Sequence, residues 1–166
     1  ALVCGTNGVY ADHQSGRCTE TRNWWGTTDT TLIWSYFSGP NTANARFSPF
    51  RLGPVDSTAG ADTVAPAAPD TIAATGYSVS KIEVRWATVT TQEEETTESL
   101  GLAGYRVYRS QDPDTNYWQP VGGTAAGTCV LIDSGLTLGE NYYYRVTAYD
   151  DNNPNPNESF YSAESA

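Results

Sequence analysis

Nucleophilic catalysis would need an imidazole close to a nucleophile, and the sequence has one histidine. His13 follows Asp12 and lies two residues before Ser15, so the three residue types of a Ser-His-Asp triad occur in one short segment. Residues this close in sequence cannot converge on each other as that chemistry requires. We therefore interpret the segment as an exposed loop and predict that the protein is not an enzyme and has no catalytic residues.

Two carboxylate-rich segments could perform other chemistry. The run Gln92–Glu95 could supply the paired acids of a glycosidase, but it lies in a polar, Thr-rich stretch where nothing apolar would raise a carboxyl pKa. The segment Asp150–Asn157 carries oxygen ligands at alternating positions, yet Pro156 stands where an EF-hand calcium loop needs Gly, and no Glu closes it. We predict a solvated loop and a turn-rich loop, with no metal and no cofactor, and calcium remains the alternative for the second.

The three cysteines favour an oxidising compartment. Cys4 and Cys18 enclose a short loop of 13 residues that is rich in Gly, and a disulfide can close it. In the chain-entropy model such a closure stabilises the fold by roughly 3 kcal/mol. A metal site is excluded because neither residue has a CxxC partner. We predict a Cys4–Cys18 disulfide and a buried, inert thiol at Cys129, although the odd count leaves other pairings open.

Aromatic and aliphatic residues near the N-terminus form the candidate surface. Trp24 and Trp25 are adjacent, so in a strand they would point to opposite faces and at least one would be exposed. The run Leu32–Phe37 is uncharged, β-prone and ended by Ser38-Gly39-Pro40, so we predict a strand there. The candidate residues for an assembly or ligand surface are Trp24, Trp25, Leu32, Ile33, Trp34 and Phe37.

Charge and composition exclude several classes of protein. The 166 residues include 19 Asp and Glu against 9 Lys and Arg, for a net charge of −10. That field would repel nucleic-acid phosphates and anionic membranes. No stretch approaches the roughly 20 apolar residues of a membrane span. Thr occurs 22 times, whereas good helix formers are scarce, with Lys81 the one lysine and no Met, so the composition favours an all-β protein.

Three segments of the chain differ in composition. Residues 1–52 hold three of the five Trp and two of the three Cys, and we predict a small disulfide-containing β-rich unit. Residues 53–70 are rich in Pro, Ala and Gly, which is typical of an extended linker. In residues 71–166, apolar and polar residues alternate over short runs between turn residues, as in an antiparallel β-sandwich. We expect its core to contain Ile82, Val84, Trp86, Tyr105, Val107, Tyr142, Tyr144 and Val146.

Five short motifs follow one another in the second half of the chain. They are Pro66–Pro69, Ile82–Trp86, Gly104–Ser110, Asp133–Gly139 and Tyr142–Asp150. This ordered set resembles a fibronectin type III domain, in the version common in secreted bacterial or archaeal surface proteins, over residues from about 66 to 166. The resemblance implies an immunoglobulin-like β-sandwich with a core Trp at Trp86 and a Tyr142 hydroxyl tied to the preceding turn. Leu138 departs from the usual Pro, and residues 1–60 resemble no family.

The predicted function is structural or adhesive. We expect an extracellular or cell-surface protein, a subunit of a filament, pilus or other surface assembly, whose partner is itself or another surface-protein subunit. The chain begins at Ala1 rather than Met, which fits a mature chain after removal of a signal segment, or a fragment that starts mid-chain. The alternative is an accessory module of a secreted polysaccharide-degrading enzyme, in which Trp24, Trp25 or Trp34 would stack on the sugar rings of a glycan.

The run Leu32–Phe37 carries the assembly hypothesis. An uncharged strand edge leaves backbone N–H and C=O groups free to pair with another chain, and this run contains neither the Lys nor the Pro that usually guards such an edge. The other interpretation is a hairpin that folds onto its own sandwich, because intrachain docking closes the same edge.

Overall fold

The computed structural model describes residues 2–5, 8–11, 18–19, 25, 28–38, 45–46, 64–92, 101–115, 117–152 and 156–165. In chain order the elements are β1 (Leu2–Gly5), β2 (Gly8–Ala11), β3 (Cys18–Thr19), α1 (Thr30–Ser35), β4 (Phe37–Ser38), β5 (Ala45–Arg46), β6 (Ala73–Ser78), β7 (Lys81–Arg85), β8 (Leu102–Ser110), β9 (Gln119–Ala125), β10 (Val130–Ser134) and β11 (Tyr143–Asp150). Strands dominate, which confirms the predicted all-β class. Among the residues described, no helix has the length and apolar character needed to cross a membrane.

Two three-stranded antiparallel sheets form the sandwich. One sheet has the strand order β10-β7-β6 and the other has the order β11-β8-β9. The chain forms β6 and β7 in the first sheet and β8 and β9 in the second, and it then changes sheets twice more, to place β10 in the first and β11 in the second. Each sheet turns one face toward the core, as the period-2 alternation predicted.

The core between the sheets confirms the predicted set. Val84 and Trp86 on one side meet Tyr105, Val107, Tyr144 and Val146 on the other, and all six are buried. The Trp86 and Tyr105 rings meet edge to face, with their centroids 5.4 Å apart. The two remaining predicted residues, Ile82 and Tyr142, are half-buried and pack against this cluster.

Residues 64–70 already belong to the packed structure. Ala65 and Pro66 are buried, and Pro66 forms an antiparallel bridge with Gln92. The Ala67 N–H donates to the Thr91 carbonyl at 2.8 Å, so this segment runs alongside the chain that follows β7. The predicted boundary at residue 71 stays a prediction, but the packed segment starts by residue 64.

The last described segment extends the second sheet beyond β11. Three serines spaced three residues apart pair with alternate residues of β11, so the segment bulges between contacts and is not a regular strand. The hydroxyl oxygens of Ser159 and Ser162 also accept β11 backbone N–H groups, each at 2.9 Å. The pairs are Ser159 with Ala148, Ser162 with Val146, and Ser165 with Tyr144.

The predicted strand at Leu32–Phe37 is wrong, because most of that run is helical. Helix α1 begins after Asp29, whose carboxylate accepts the backbone N–H groups of Thr31 at 2.9 Å and Leu32 at 3.2 Å. This N-cap satisfies donors that the first turn leaves free, and it outweighs the β propensity of the run. Ile33 in the helix and Phe37, which follows it in β4, are both buried. A short apolar run is compatible with a strand or a helix, and the Asp29 cap favours the helix here.

The N-terminal region contains two small sheets. Strands β1 and β2 are antiparallel, β4 joins β2 in parallel, and β3 pairs with β5 in parallel. Cys4 lies in β1 and Cys18 in β3, but their side chains are outside the described part of the structure, so the disulfide stays a prediction. Cys129 is a free, half-buried thiol, with its Sγ 3.2 Å from the Thr88 hydroxyl.

Candidate functional site

Four of the six candidate surface residues belong to one small cluster. Ile33 and Phe37 lie at its centre, with Trp25 and Trp34 packed around them. The Phe37 ring centroid is 5.4 Å from that of Trp25 and 5.8 Å from that of Trp34, so both indoles contact the same ring. Tyr117, from the β8–β9 connection, completes the cluster. The cluster therefore joins this region to Tyr117 of its own chain through a helix, and not through the hairpin of the intrachain interpretation.

The candidate residues differ in how accessible they are. Ile33 is fully buried and Phe37 nearly so, which leaves neither free to bind a ligand. Leu32 is 45% exposed, and Trp25 and Trp34 are half-buried. Trp24 lies outside the described residues. Only part of the predicted surface is therefore open to a partner.

Among the described residues, three carboxylates are buried in the sandwich, and Glu158 accepts bonds from three side chains. One carboxylate oxygen pairs with the Arg106 guanidinium. The other accepts the hydroxyls of Tyr108, at 2.7 Å, and Thr147. Burial, together with the neighbouring Glu158 carboxylate, holds the pKa of Tyr108 well above its ordinary value. Glu158 thus ties the C-terminal segment to β8 and β11.

Asp133 joins the two sheets. Its Oδ2 accepts an N–H from Arg109 and the hydroxyl of Tyr144, both at 2.9 Å. Asp133 belongs to β10, whereas its partners belong to β8 and β11, so the bonds cross from one sheet to the other. Burial raises the pKa of Tyr144, and the adjacent carboxylate raises it further. The phenol therefore stays a hydrogen-bond donor over the neutral range.

Asp150 closes the segment Asp150–Asn157, for which calcium binding was the alternative prediction. Its Oδ1 accepts the backbone N–H groups of Asn157 at 2.7 Å and Asn152 at 3.2 Å, and its Oδ2 accepts the side-chain amide of Asn157 at 2.8 Å. Both oxygens therefore face N–H donors. Asn157 also begins an Asn-Glu-Ser glycosylation sequence, but the fold buries it. In the part of the chain that the structure describes, no group of three or more metal-ligating side chains occurs.

Arginine and aromatic side chains stack on the outer face of the second sheet. The Arg145 guanidinium lies 4.7 Å from the ring centroid of Trp118, and Arg106 lies 4.5 Å from that of Tyr149. Tyr108 meets Tyr161 edge to face at 5.0 Å. The outward phase of β8 and β11 places Arg106, Arg145 and Tyr149 on this face. Trp118 is 2% exposed and lies in the connection between β8 and β9. No alternation within a strand could therefore predict its position.

The side chain of Tyr142 is hydrogen-bonded to the turn that precedes β11. The Tyr142 hydroxyl accepts the backbone N–H of Thr137 at 3.0 Å, five residues upstream, and Leu136 is buried beside it. This tyrosine corner and the two strand orders are the arrangement expected from the resemblance. Residues 64–165 have the fibronectin type III fold. In this fibronectin type III module, the buried carboxylates of Asp133, Asp150 and Glu158 each accept hydrogen bonds from neighbouring groups of the fold.

No protein-family model and no curated protein matches the chain. Among solved structures, the chain is similar to an Fn3-like protein from Clostridium thermocellum, with 24% identity over 61% of this chain and 90% of that one, and a TM-score of 0.47. It is also similar to titin module A71 from human cardiac muscle, with 20% identity over 60% of this chain and 88% of that one, and a TM-score of 0.46.

Several similar chains are much longer than the match. A β-1,2-glucanase from Parabacteroides distasonis matches with 25% identity and a TM-score of 0.45, over 63% of this chain but 12% of the enzyme. Titin domains A168–A170 match over 31% of their length. The match thus covers less than a third of each of these longer chains.

Proposed function

We propose that the protein is a non-catalytic structural subunit of an extracellular or cell-surface assembly. The observation that carries this proposal is that the chain enters and leaves the fibronectin type III module at opposite ends. Pro66 bridges to Gln92 in the connection between β7 and β8, and β8 begins where that connection ends. Ser165 bridges to Tyr144, beside the pairing of Tyr143 with Ser110, the last residue of β8. Such a layout lets a module transmit load along its length.

The hydrogen bonds that the buried carboxylates accept also support a structural role. A general acid or base needs a carboxyl group that can exchange a proton with a substrate. Asp133, Asp150 and Glu158 instead accept hydrogen bonds from two or more groups of the fold. Their removal should therefore lower the free energy of unfolding, which is the behaviour of structural rather than catalytic groups.

The proposal is tested on the full-length protein and on native material. Electron microscopy of native material should show the protein in regular polymers or on cell surfaces. Mass measurements over a range of concentrations should show species larger than the monomer. A folded protein that is monomeric at all concentrations and absent from any native assembly would contradict the proposal. Specific retention of that monomer by insoluble polysaccharides would then support the enzyme-module alternative.

A further inference from the structure

Two neighbouring turns carry exposed apolar side chains that the fold does not use. Val79 lies in the two-residue turn between β6 and β7, and Leu138 lies in the turn that precedes β11. They are 74% and 76% exposed, and Tyr77 beside the first turn is 59% exposed. The Leu136 N–H donates to the Ser80 carbonyl at 3.0 Å, which holds the two turns together. Tyr77, Val79 and Leu138 are called the apolar tip below.

Turn chemistry does not explain these residues. Tight turns favour Gly, Asn, Asp, Ser and Pro, because those residues satisfy the backbone conformation or bond to it. Residues 137–140 form a turn in which the Glu140 N–H donates to the Thr137 carbonyl and Gly139 has a φ of 88°. Pro at the position of Leu138 and Gly after it would be the usual choice for such a turn. A leucine there buries nothing in its own module.

The charges around the apolar tip are self-complementary. Lys81 follows the first turn and Glu140 ends the second, and both are exposed. Within the described residues, neither side chain forms an ion pair or a hydrogen bond. Lys81 is the one lysine of a chain with a net charge of −10, and it supplies a positive charge beside the tip, at an end of the module where the exposed Asp112 and Asp114 also lie. Two copies that meet at the tip pair each Lys81 with the Glu140 of the other copy, which lowers the repulsion between two acidic chains.

We propose that the apolar tip is a contact surface for a second copy of this chain, with the two tips joined about a two-fold axis. In this arrangement Lys81 of each copy faces Glu140 of the other, and the apolar side chains pack between them. The three side chains offer a few hundred Å², well below the roughly 800 Å² per partner of a standard stable interface. The contact is therefore weak in isolation and gains strength where other contacts of an assembly hold many copies close together.

The first test removes the apolar surface without disturbing the turns. The double variant Val79→Ser, Leu138→Pro suits both turns, and Phe160→Thr is the matched control, because Phe160 is 51% exposed and follows Ser159, which pairs with Ala148 near the other end of β11. Sedimentation equilibrium of the full chain, up to about millimolar concentration, should show a wild-type dimer. The association constant should fall at least about tenfold in the double variant and stay unchanged in the control. A monomeric wild type, or equal association in the double variant, would overturn the proposal.

The second test uses the symmetry of the proposed contact. Lys81→Glu and Glu140→Lys should each weaken self-association, because like charges then face each other across the two-fold axis. An equimolar mixture of the two variants should associate again, since each contact then pairs opposite charges. A mixture that stays as weakly associated as its components would reject this geometry. Both substitutions are at exposed positions, so unchanged thermal unfolding serves as the folding control.

This inference deepens the proposed function, but the two can fail separately. If native material contains polymers and the tip variant associates as the wild type does, the assembly uses another surface and only the tip contact is rejected. If the purified protein dimerises through the tip but no native assembly contains it, the tip contact stands and the proposed function is rejected.

Discussion

At the scale of single residues, Gly104 shows how closely the second sheet is packed. A Cβ at this position would lie 2.2 Å from the Thr124 carbonyl oxygen and 2.7 Å from the Tyr149 hydroxyl. We expect Gly104→Ala to lower the free energy of unfolding by about 2–3 kcal/mol, because backbone must move to admit the methyl group. Gly76→Ala is the control, since nothing lies within 4 Å of its Cβ, and it should change stability by less than about 0.5 kcal/mol. Equal losses in urea unfolding would contradict this prediction.

Thr71 has backbone strain that a different residue would relieve. Its φ is 53°, a left-handed conformation that β-branched residues rarely adopt and Asn tolerates. Its hydroxyl donates to the Asp70 carboxylate at 3.1 Å, but the pair is exposed and contributes little. Thr71→Asn should raise the free energy of unfolding by about 0.5–1 kcal/mol. Thr75→Asn, in the extended β6, should lower it, and a Thr71→Asn variant less stable than wild type would show that the strain is not relieved.

At the scale of elements, the attachment of the C-terminal segment depends on Glu158. Replacing it with Gln leaves the half-buried Arg106 without a counter-charge and weakens the bonds from Tyr108 and Thr147. We expect Glu158→Gln to cost about 2–3 kcal/mol. Glu164→Gln is the matched control in the same segment, since its bond to Arg145 is longer, at 3.3 Å, and more exposed. Chemical denaturation should show a loss below about 1 kcal/mol for the control.

Helix α1 shows how an element can differ from its local propensity. Four of the six residues of Leu32–Phe37 are Ile or aromatic and favour a strand, although Ile33 and Phe37 also have the spacing of one side of a helix. The Asp29 cap and the contact with Tyr117 select the helix, and Tyr117 is distant in sequence. The type of this element could therefore not be decided from its own residues.

At the scale of the whole molecule, buried tyrosines predict sensitivity to alkali. Burial raises the pKa of both Tyr108 and Tyr144, and neighbouring carboxylates raise it further. Above pH 10 or so, the unfolded chain releases these protons while the folded chain retains them. The free energy of unfolding should therefore be unaffected by these groups below that pH and should fall as the pH rises beyond it. Urea unfolding across this range measures the slope, and a flat profile would contradict the burial of both phenols.

The sequence by itself determined the features whose cause is local. Alternation of apolar and polar residues within β7, β8 and β11 identified the core around Trp86, because successive side chains of a strand point to opposite faces of the sheet. The Tyr142 corner was expected from the resemblance to the fibronectin type III domain, and it too is a local contact, since Thr137 lies five residues away. Only the tertiary structure decided which distant groups meet. The pairing of Arg106 with Glu158 spans 52 residues, and the docking of Ile33 on Tyr117 joins two regions of different composition. Such contacts depend on how sheets and loops pack in space, and no pattern within one segment encodes that packing.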